Sequence, residues 1–210
     1  MNIVLIGYRG SGKSTVGRRL AERLGRGFAD LDALIEKRQG ASIREIVESL
    51  GWEYFRAMEK ATVEEISRQN NFIVAPGGGA VLDPENVSSL RNNGLIVWLK
   101  AEPEGLAERM GRDPQTVKGR PTLTGKGTLA EIREVASSRD SIYKAAAAIE
   151  VDTSALDIEA VVEKIVSIFQ DKWIEGGGHC QGSCEARNGA AMPAEGRFFF
   201  MDPHERGFGR

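Results

Sequence analysis

Asn2-Ile3-Val4-Leu5-Ile6-Gly7-Tyr8-Arg9-Gly10-Ser11-Gly12-Lys13-Ser14-Thr15 is the stretch whose reading decides the fold. Asn2–Ile6 is nearly uniformly apolar, which suits a strand covered on both faces better than a half-exposed one. Gly7–Ser14 matches G-x-x-x-x-G-K-[ST]. Beyond it Val16, Leu20 and Leu24 recur every four residues and Gly25 follows as a stop, so a helix opens here. Strand, glycine loop and helix in this order are the setting in which the motif binds phosphate. The glycines let backbone N–H groups turn inward onto phosphate oxygens, and the positive end of the helix adds to their field. Lys13 suits the β- and γ-phosphates and the Ser14 hydroxyl suits Mg²⁺. Gly10, Ser11, Gly12, Lys13, Ser14 and Thr15 are therefore the expected nucleotide-binding residues. The competing reading, a glycine turn with an exposed lysine, leaves the flanking strand and helix unexplained.

The remainder of the 210 residues continues the pattern. Strands are expected at Gly27–Leu31, Phe72–Ala75, Leu95–Leu99 and Ala148–Val151. Between them lie helix signals. Ser42-Ile43-Arg44-Glu45 is a capping box ahead of Ile46, Val47 and Leu50. Phe55, Met58, Thr62, Val63 and Ile66 form one stripe of a helix of about four turns. Asp83-Pro84 pairs a capping acceptor with a residue that has no N–H to leave unpaired. Ile132, Val135, Ile142 and Tyr143 fit a further helix, and Ile158 to Phe169 the last. Alternation of this kind predicts an α/β fold built on a parallel sheet.

Composition bounds the rest. The 28 Lys and Arg residues nearly cancel the 30 Asp and Glu, for a net charge of −2, which argues against a broadly basic nucleic-acid binder. No apolar run approaches the ~20 residues of a membrane span, and the first ten residues lack a basic signal-peptide start. With only Cys180 and Cys184, no disulfide framework is available. The expectation is a cytoplasmic protein with neither nucleic acid nor membrane as partner. Residues 1–173 read as one domain, and 174–210, glycine-rich and without period, as a disordered tail. His179, Cys180, Cys184 and His204 in that tail are able to bind Zn²⁺ but match no structural zinc spacing.

If the chain binds a nucleoside triphosphate, an acceptor site belongs at the same sheet edge, because open α/β sheets bind ligands there. The second strand runs into Asp30-Leu31-Asp32, where one carboxylate can support a magnesium shell and the other accept a hydroxyl hydrogen bond. Asp-x-Asp is also a common helix cap. The third strand runs into Gly77-Gly78-Gly79, which lets backbone touch a small ligand. Arg56 follows Phe55 on the intervening helix.

Taken together, GxxGSGKST at 7–15, Asp30-x-Asp32, Phe55-Arg56, Gly77-Gly78-Gly79, Arg120-Pro121 and the Arg139…Tyr143 segment resemble the shikimate kinases over about residues 1–170. The resemblance implies a three-layer α/β/α sandwich with a five-stranded parallel sheet and a mobile lid. It implies ATP-dependent phosphorylation of the shikimate 3-hydroxyl, with Mg²⁺, in the pathway to chorismate and aromatic amino acids. By the same resemblance Asp32 holds the shikimate hydroxyls and receives the 3-OH proton, while Asp30 stands near magnesium with Ser14. Arg56 and Arg139 grip the carboxylate, and Gly78 and Gly79 offer backbone contacts. Arg120 closes over the transferring phosphate and Arg109 lies beside adenine. The catalytic set is then Lys13, Asp32 and Arg120.

Chemistry agrees with these assignments. A small carboxylate calls for planar guanidinium donors, and phosphoryl transfer needs positioning and positive charge more than covalent help. Residues 112–127, with four basic residues, two prolines and three glycines, read as the lid, although Thr122 stands where the family's Arg-Pro-Leu-Leu has leucine. A monomer is expected. Two other functions stay open at this level. One is a P-loop kinase of another polyhydroxy carboxylate such as gluconate, and the other is a non-catalytic nucleotide-binding regulator.

Overall fold

The structure is a computed structural model that describes residues 1–112 and 128–175. The expected lid, with Arg120, and the glycine-rich tail with its cysteines and histidines lie outside the described residues, except for Arg112, Ile174 and Glu175.

Five strands form one sheet: β1 Asn2–Ile6, β2 Gly27–Asp30, β3 Phe72–Ala75, β4 Gly94–Lys100 and β5 Ile149–Asp152, in the order β2-β3-β1-β4-β5. All pairings are parallel, with Val4 opposite Val74 on one side and Ile96 on the other. The helices are α1 Lys13–Leu24, α2 Leu31–Gln39, α3 Ile43–Ser67, α4 Pro84–Asn92, α5 Pro103–Arg112, α6 Thr128–Ala146 and α7 Ile158–Glu175, and a 3₁₀ turn spans Ala80–Leu82.

β1 shows why the domain has three layers. Ile3 and Leu5 point to one face and join Val16, Leu20, Val162, Ile165 and Phe169 of α1 and α7. Val4 and Ile6 point to the other and join Val63, Leu90, Tyr143 and Ala146 of α3, α4 and α6. The two-residue period of a strand sends alternate side chains to opposite cores, so a central strand must be apolar throughout.

The local start and stop signals operate as expected. In the capping box Ser42 N–H donates to Glu45 Oε2 at 2.7 Å, and Glu45 N–H donates to Ser42 Oγ at 3.3 Å. Asp83 caps α4 through Glu85 N–H at 2.8 Å. Gly25 ends α1 in the left-handed region, at φ 61°.

Element ends differ from expectation at several places: β4 runs Gly94–Lys100 where Leu95–Leu99 was expected, and β5 runs Ile149–Asp152 where Ala148–Val151 was expected. β2 ends at Asp30 because its carboxylate accepts from Ala33 N–H and starts α2, so Leu31, expected to end the strand, begins a helix. The capping-box helix and the Phe55 helix follow each other within Ile43–Ser67 and are separated, as expected, by a break at Gly51 (φ 84°, ψ 167°), a conformation glycine adopts without strain. Ile158, counted in the last apolar stripe, is exposed at the first turn of α7.

Candidate active site

The loop between β1 and α1 wraps into a cleft above the C-terminal edge of the sheet. Gly10, Ser11, Gly12, Lys13, Ser14 and Thr15 all line it. Lys13 Nζ donates to Gly7 and Tyr8 carbonyls, both at 2.9 Å, bracing the loop around its own cation. Gly7 cannot be replaced without rearrangement, since at φ +144° a Cβ would stand 2.6 Å from the Leu99 carbonyl oxygen. Ser14 Oγ donates to Asp30 Oδ2 at 2.5 Å. The hydroxyl and carboxylate expected near magnesium are thus adjacent. Asp30 plays both parts that the sequence left open, helix cap and partner of Ser14.

Arg109 projects from α5 into the same cleft. Its guanidinium donates to Thr153 Oγ1 at 3.1 Å and to the Thr153 carbonyl at 2.7 Å, and Thr153 Oγ1 donates to the Lys100 carbonyl at 3.0 Å. The residue that follows β5 therefore fixes a planar cation in this cleft.

A second pocket adjoins the first. Arg56, Gly78, Gly79 and Arg139 line it together with Trp52, Phe55 and Glu59. The glycine run lies where side chains would collide. A Cβ on Gly79 would come within 2.6 Å of Arg56 Nη2, and one on Gly77 within 2.6 Å of Asp32 Oδ1 and 2.9 Å of Glu59 Oε1. Arg56 rests against Trp52 and Phe55, 5.4 and 5.3 Å from their ring centroids. From the far wall, Arg139 Nη1 donates to the Gly78 carbonyl at 3.4 Å and Tyr143 Oη donates to the same oxygen at 2.6 Å. Burial pushes the Tyr143 phenol up to about 12, so it stays a donor across the physiological range. Asp32 is buried, lines the phosphate cleft and meets Gly77 of the second pocket, so its carboxylate stands on the boundary between the two.

All the expected site residues that are described converge on these two adjoining spaces. Further residues at or beside these spaces were not expected. Glu59, buried on α3, receives Arg56 Nη1 at 2.5 Å. Its signal was a carboxylate inside the apolar stripe, three residues after Arg56. Trp52 had no signal of its own. Thr153 and Glu131 are polar residues buried by tertiary contact. Among the described residues no group of three or more His, Cys, Asp or Glu side chains forms a metal cluster, and no helix is long and apolar enough to cross a membrane.

A phosphate-binding loop before α1, an Asp at the boundary and an arginine-lined pocket beside it, all at one edge of a parallel 2-3-1-4-5 sheet, define a P-loop phosphotransferase. The comparisons with known proteins narrow the class. The family model described as Shikimate kinase matches residues 9–170. The shikimate kinase of Syntrophus aciditrophicus is 40% identical over 179 residues, covering 81% of this chain and 92% of the relative. That of Caldanaerobacter subterraneus subsp. tengcongensis is 42% identical, covering 80% and 95%. The shikimate kinase of Acinetobacter baumannii, solved in complex with shikimate, superposes with a TM-score of 0.76 at 33% identity over 81% of this chain and 93% of that one. The Aquifex aeolicus structure gives 0.70 at 34%, over 84% and 100%. The chain belongs to the shikimate kinase family, the ATP-dependent enzymes that phosphorylate shikimate.

Proposed function

We propose that this chain transfers the γ-phosphoryl group of ATP to the 3-hydroxyl of shikimate, as the resemblance implies, on the way to chorismate and the aromatic amino acids. The observation that carries this reading is the convergence of Arg56 and Arg139 with the Gly78-Gly79 backbone in a pocket adjoining the Lys13 loop. Two guanidinium groups suit a small carboxylate, and buried Asp32 at the boundary suits a hydroxyl about to be phosphorylated.

The roles follow. Lys13 and the loop N–H groups hold the triphosphate, and Arg109 faces the base. Arg56 and Arg139 clamp the substrate carboxylate, with Gly78 and Gly79 giving the ring close backbone contact. The 3-oxygen forms a bond to γ-phosphorus as the bond to the β–γ bridging oxygen breaks. Its proton passes late to Asp32, which contributes more by orienting the hydroxyl than by basicity. The adjacent Ser14 hydroxyl and Asp30 carboxylate fit Mg²⁺, a hard cation taking oxygen donors. When bound, it neutralises charge on the phosphates. Arg120, outside the described residues, is assigned by sequence to the transferring phosphate. The protein is further proposed to act as a cytoplasmic monomer.

The test is ADP release by the purified protein with Mg-ATP, alone and with shikimate, gluconate or nucleoside monophosphates. Stimulation by shikimate alone is the expected result. Stimulation by another acceptor would overturn the pocket assignment, and ATP binding without any stimulation would favour a regulatory protein.

A further inference from the structure

Glu131, Val135, Arg139 and Tyr143 follow one another at four-residue spacing and so share one face of α6. The C-terminal end of this stripe reaches the glycine loop, where Arg139 and Tyr143 both bond to the Gly78 carbonyl. Its N-terminal end reaches the phosphate loop instead. Glu131 Oε1 lies 3.7 Å from Arg9 Nη2, with side-chain exposures of 5% and 13%. Arg9 lines both the phosphate cleft and the acceptor pocket. The two loops also meet directly, since a Cβ on Gly78 would sit 3.3 Å from the Gly7 carbonyl oxygen and 3.5 Å from Arg9 N. The contacts close a circuit from Arg9 to Glu131, along two turns of α6 to Arg139, across to Gly78 and back to Arg9. Tyr8 fills the space beside it, packed with Ile132, Val135 and Ala136 of the same helix.

We infer that the Arg9–Glu131 ion pair is a positioning device that holds α6 in the register at which Arg139 faces the acceptor carboxylate. The inference rests on the reading of this pocket as the shikimate site. The Arg139–Gly78 hydrogen bond is long, and a lever of eight residues, about 12 Å, separates it from Glu131. A small tilt at the Glu131 end therefore moves the guanidinium by an appreciable fraction of a hydrogen-bond length. Both side chains of the pair are largely shut off from solvent, so the link between loop and helix is held in a fixed geometry. An acid in a first helical turn stabilises the helix wherever it points, so stability alone does not distinguish a positioning role from that one. The substrate constants do.

The experiment measures kcat, both KM values and the melting temperature of the full chain for Glu131→Gln, Arg9→Met, the double variant, Arg9→Lys and Arg139→Ala. Each of the first two is expected to raise the KM for shikimate about tenfold while the KM for ATP and kcat stay within about twofold. The double variant is expected to match the worse single one, since two halves of one pair are not additive. Arg9→Lys, which keeps the charge but not the planar fork, should undo part of the rise in the KM for shikimate expected of Arg9→Met. Equal rises in both KM values, an unchanged KM for shikimate, or additive losses in the double variant would overturn the inference. If Glu131→Gln fails to fold, Arg9→Met and Arg9→Lys decide by the same criteria. Arg139→Ala separates the two levels. If it raises the KM for shikimate and the Arg9 and Glu131 variants do not, only the positioning device falls. If it does not, the clamp assignment falls and the device with it.

Discussion

Arg56 Nη1 donates to Glu59 Oε2 at 2.5 Å, and Glu59 is only 2% exposed on its side chain whereas Arg56 is 36% exposed. A buried carboxylate thus tethers a guanidinium that opens onto the acceptor pocket. The pair lies three residues apart on α3, so the helix itself sets its spacing. Trp52 and Phe55 flank the arginine and Gly79 leaves the room in which it lies. What this arrangement supplies is a cation whose direction is fixed before any substrate arrives.

Gly79→Ala tests that fixed direction. The added Cβ meets Arg56 Nη2 at 2.6 Å, and the far end of a long side chain gives way more easily than backbone. The fold should therefore survive, with the melting temperature lowered by no more than about 4 °C. The KM for shikimate should rise about tenfold or more and that for ATP should hold. Steady-state kinetics with each substrate varied in turn checks this, and a matching rise for ATP would show that Arg56 does not act on the acceptor alone.

Lys13→Ala removes both the cation and its two braces to Gly7 and Tyr8. The expected loss in kcat is about 10²- to 10³-fold, the scale seen when one charge-stabilising group is taken from a transition state. Circular dichroism should be unchanged because β1 and α1 are held by the core. Turnover within about tenfold of the parent would remove Lys13 from the catalytic set.

Arg109 and Thr153 make a prediction confined to the nucleotide. Thr153→Val loses the hydroxyl at 3.1 Å but keeps the carbonyl at 2.7 Å, so it should raise the KM for ATP only about threefold. Arg109→Ala should raise it about tenfold, with the shikimate KM unaffected in both. A shift in the shikimate constant instead would mean that α5 does not belong to the nucleotide side.

Tyr143 predicts a pH dependence of stability. Burial raises its phenol from the ordinary 10.0 to about 12, so the folded state keeps a proton that the unfolded state has already lost in between. Its contribution is fully present below pH 10 and declines as pH climbs toward 12, by about 2–3 kcal/mol in all. Tyr143→Phe gives up the 2.6 Å bond to Gly78, costing about 1 kcal/mol at neutral pH, but lacks that alkaline loss. Urea midpoints of parent and variant should converge as pH rises from 9 to 11. Parallel slopes would show that Tyr143 does not carry the effect.

The sequence by itself determined the parts that depend on neighbours in the chain. The phosphate loop was legible because eight consecutive residues set its backbone geometry. The capping box and the apolar stripes were legible because a helix or strand repeats over a few residues. Even there, Leu31 was misplaced, since an apolar residue at a strand end looks the same whether the next turn is helical or extended. Asp30 decided it by capping, whereas the break at Gly51 falls between the two helices that the pattern kept apart.

Only the tertiary structure decided which charges face which. Arg109 meets Thr153 across 44 residues, Arg139 meets Gly78 across 61, and Arg9 of the loop between β1 and α1 meets Glu131 of α6. No local period reports such pairings, because they exist only once the parallel strands have brought distant loops to one edge. Glu131 therefore reads in the sequence as an ordinary helix acid, and Glu59 stands out there only by its place inside the apolar stripe. Burial against an arginine, a property of the packed molecule, is what sets them apart.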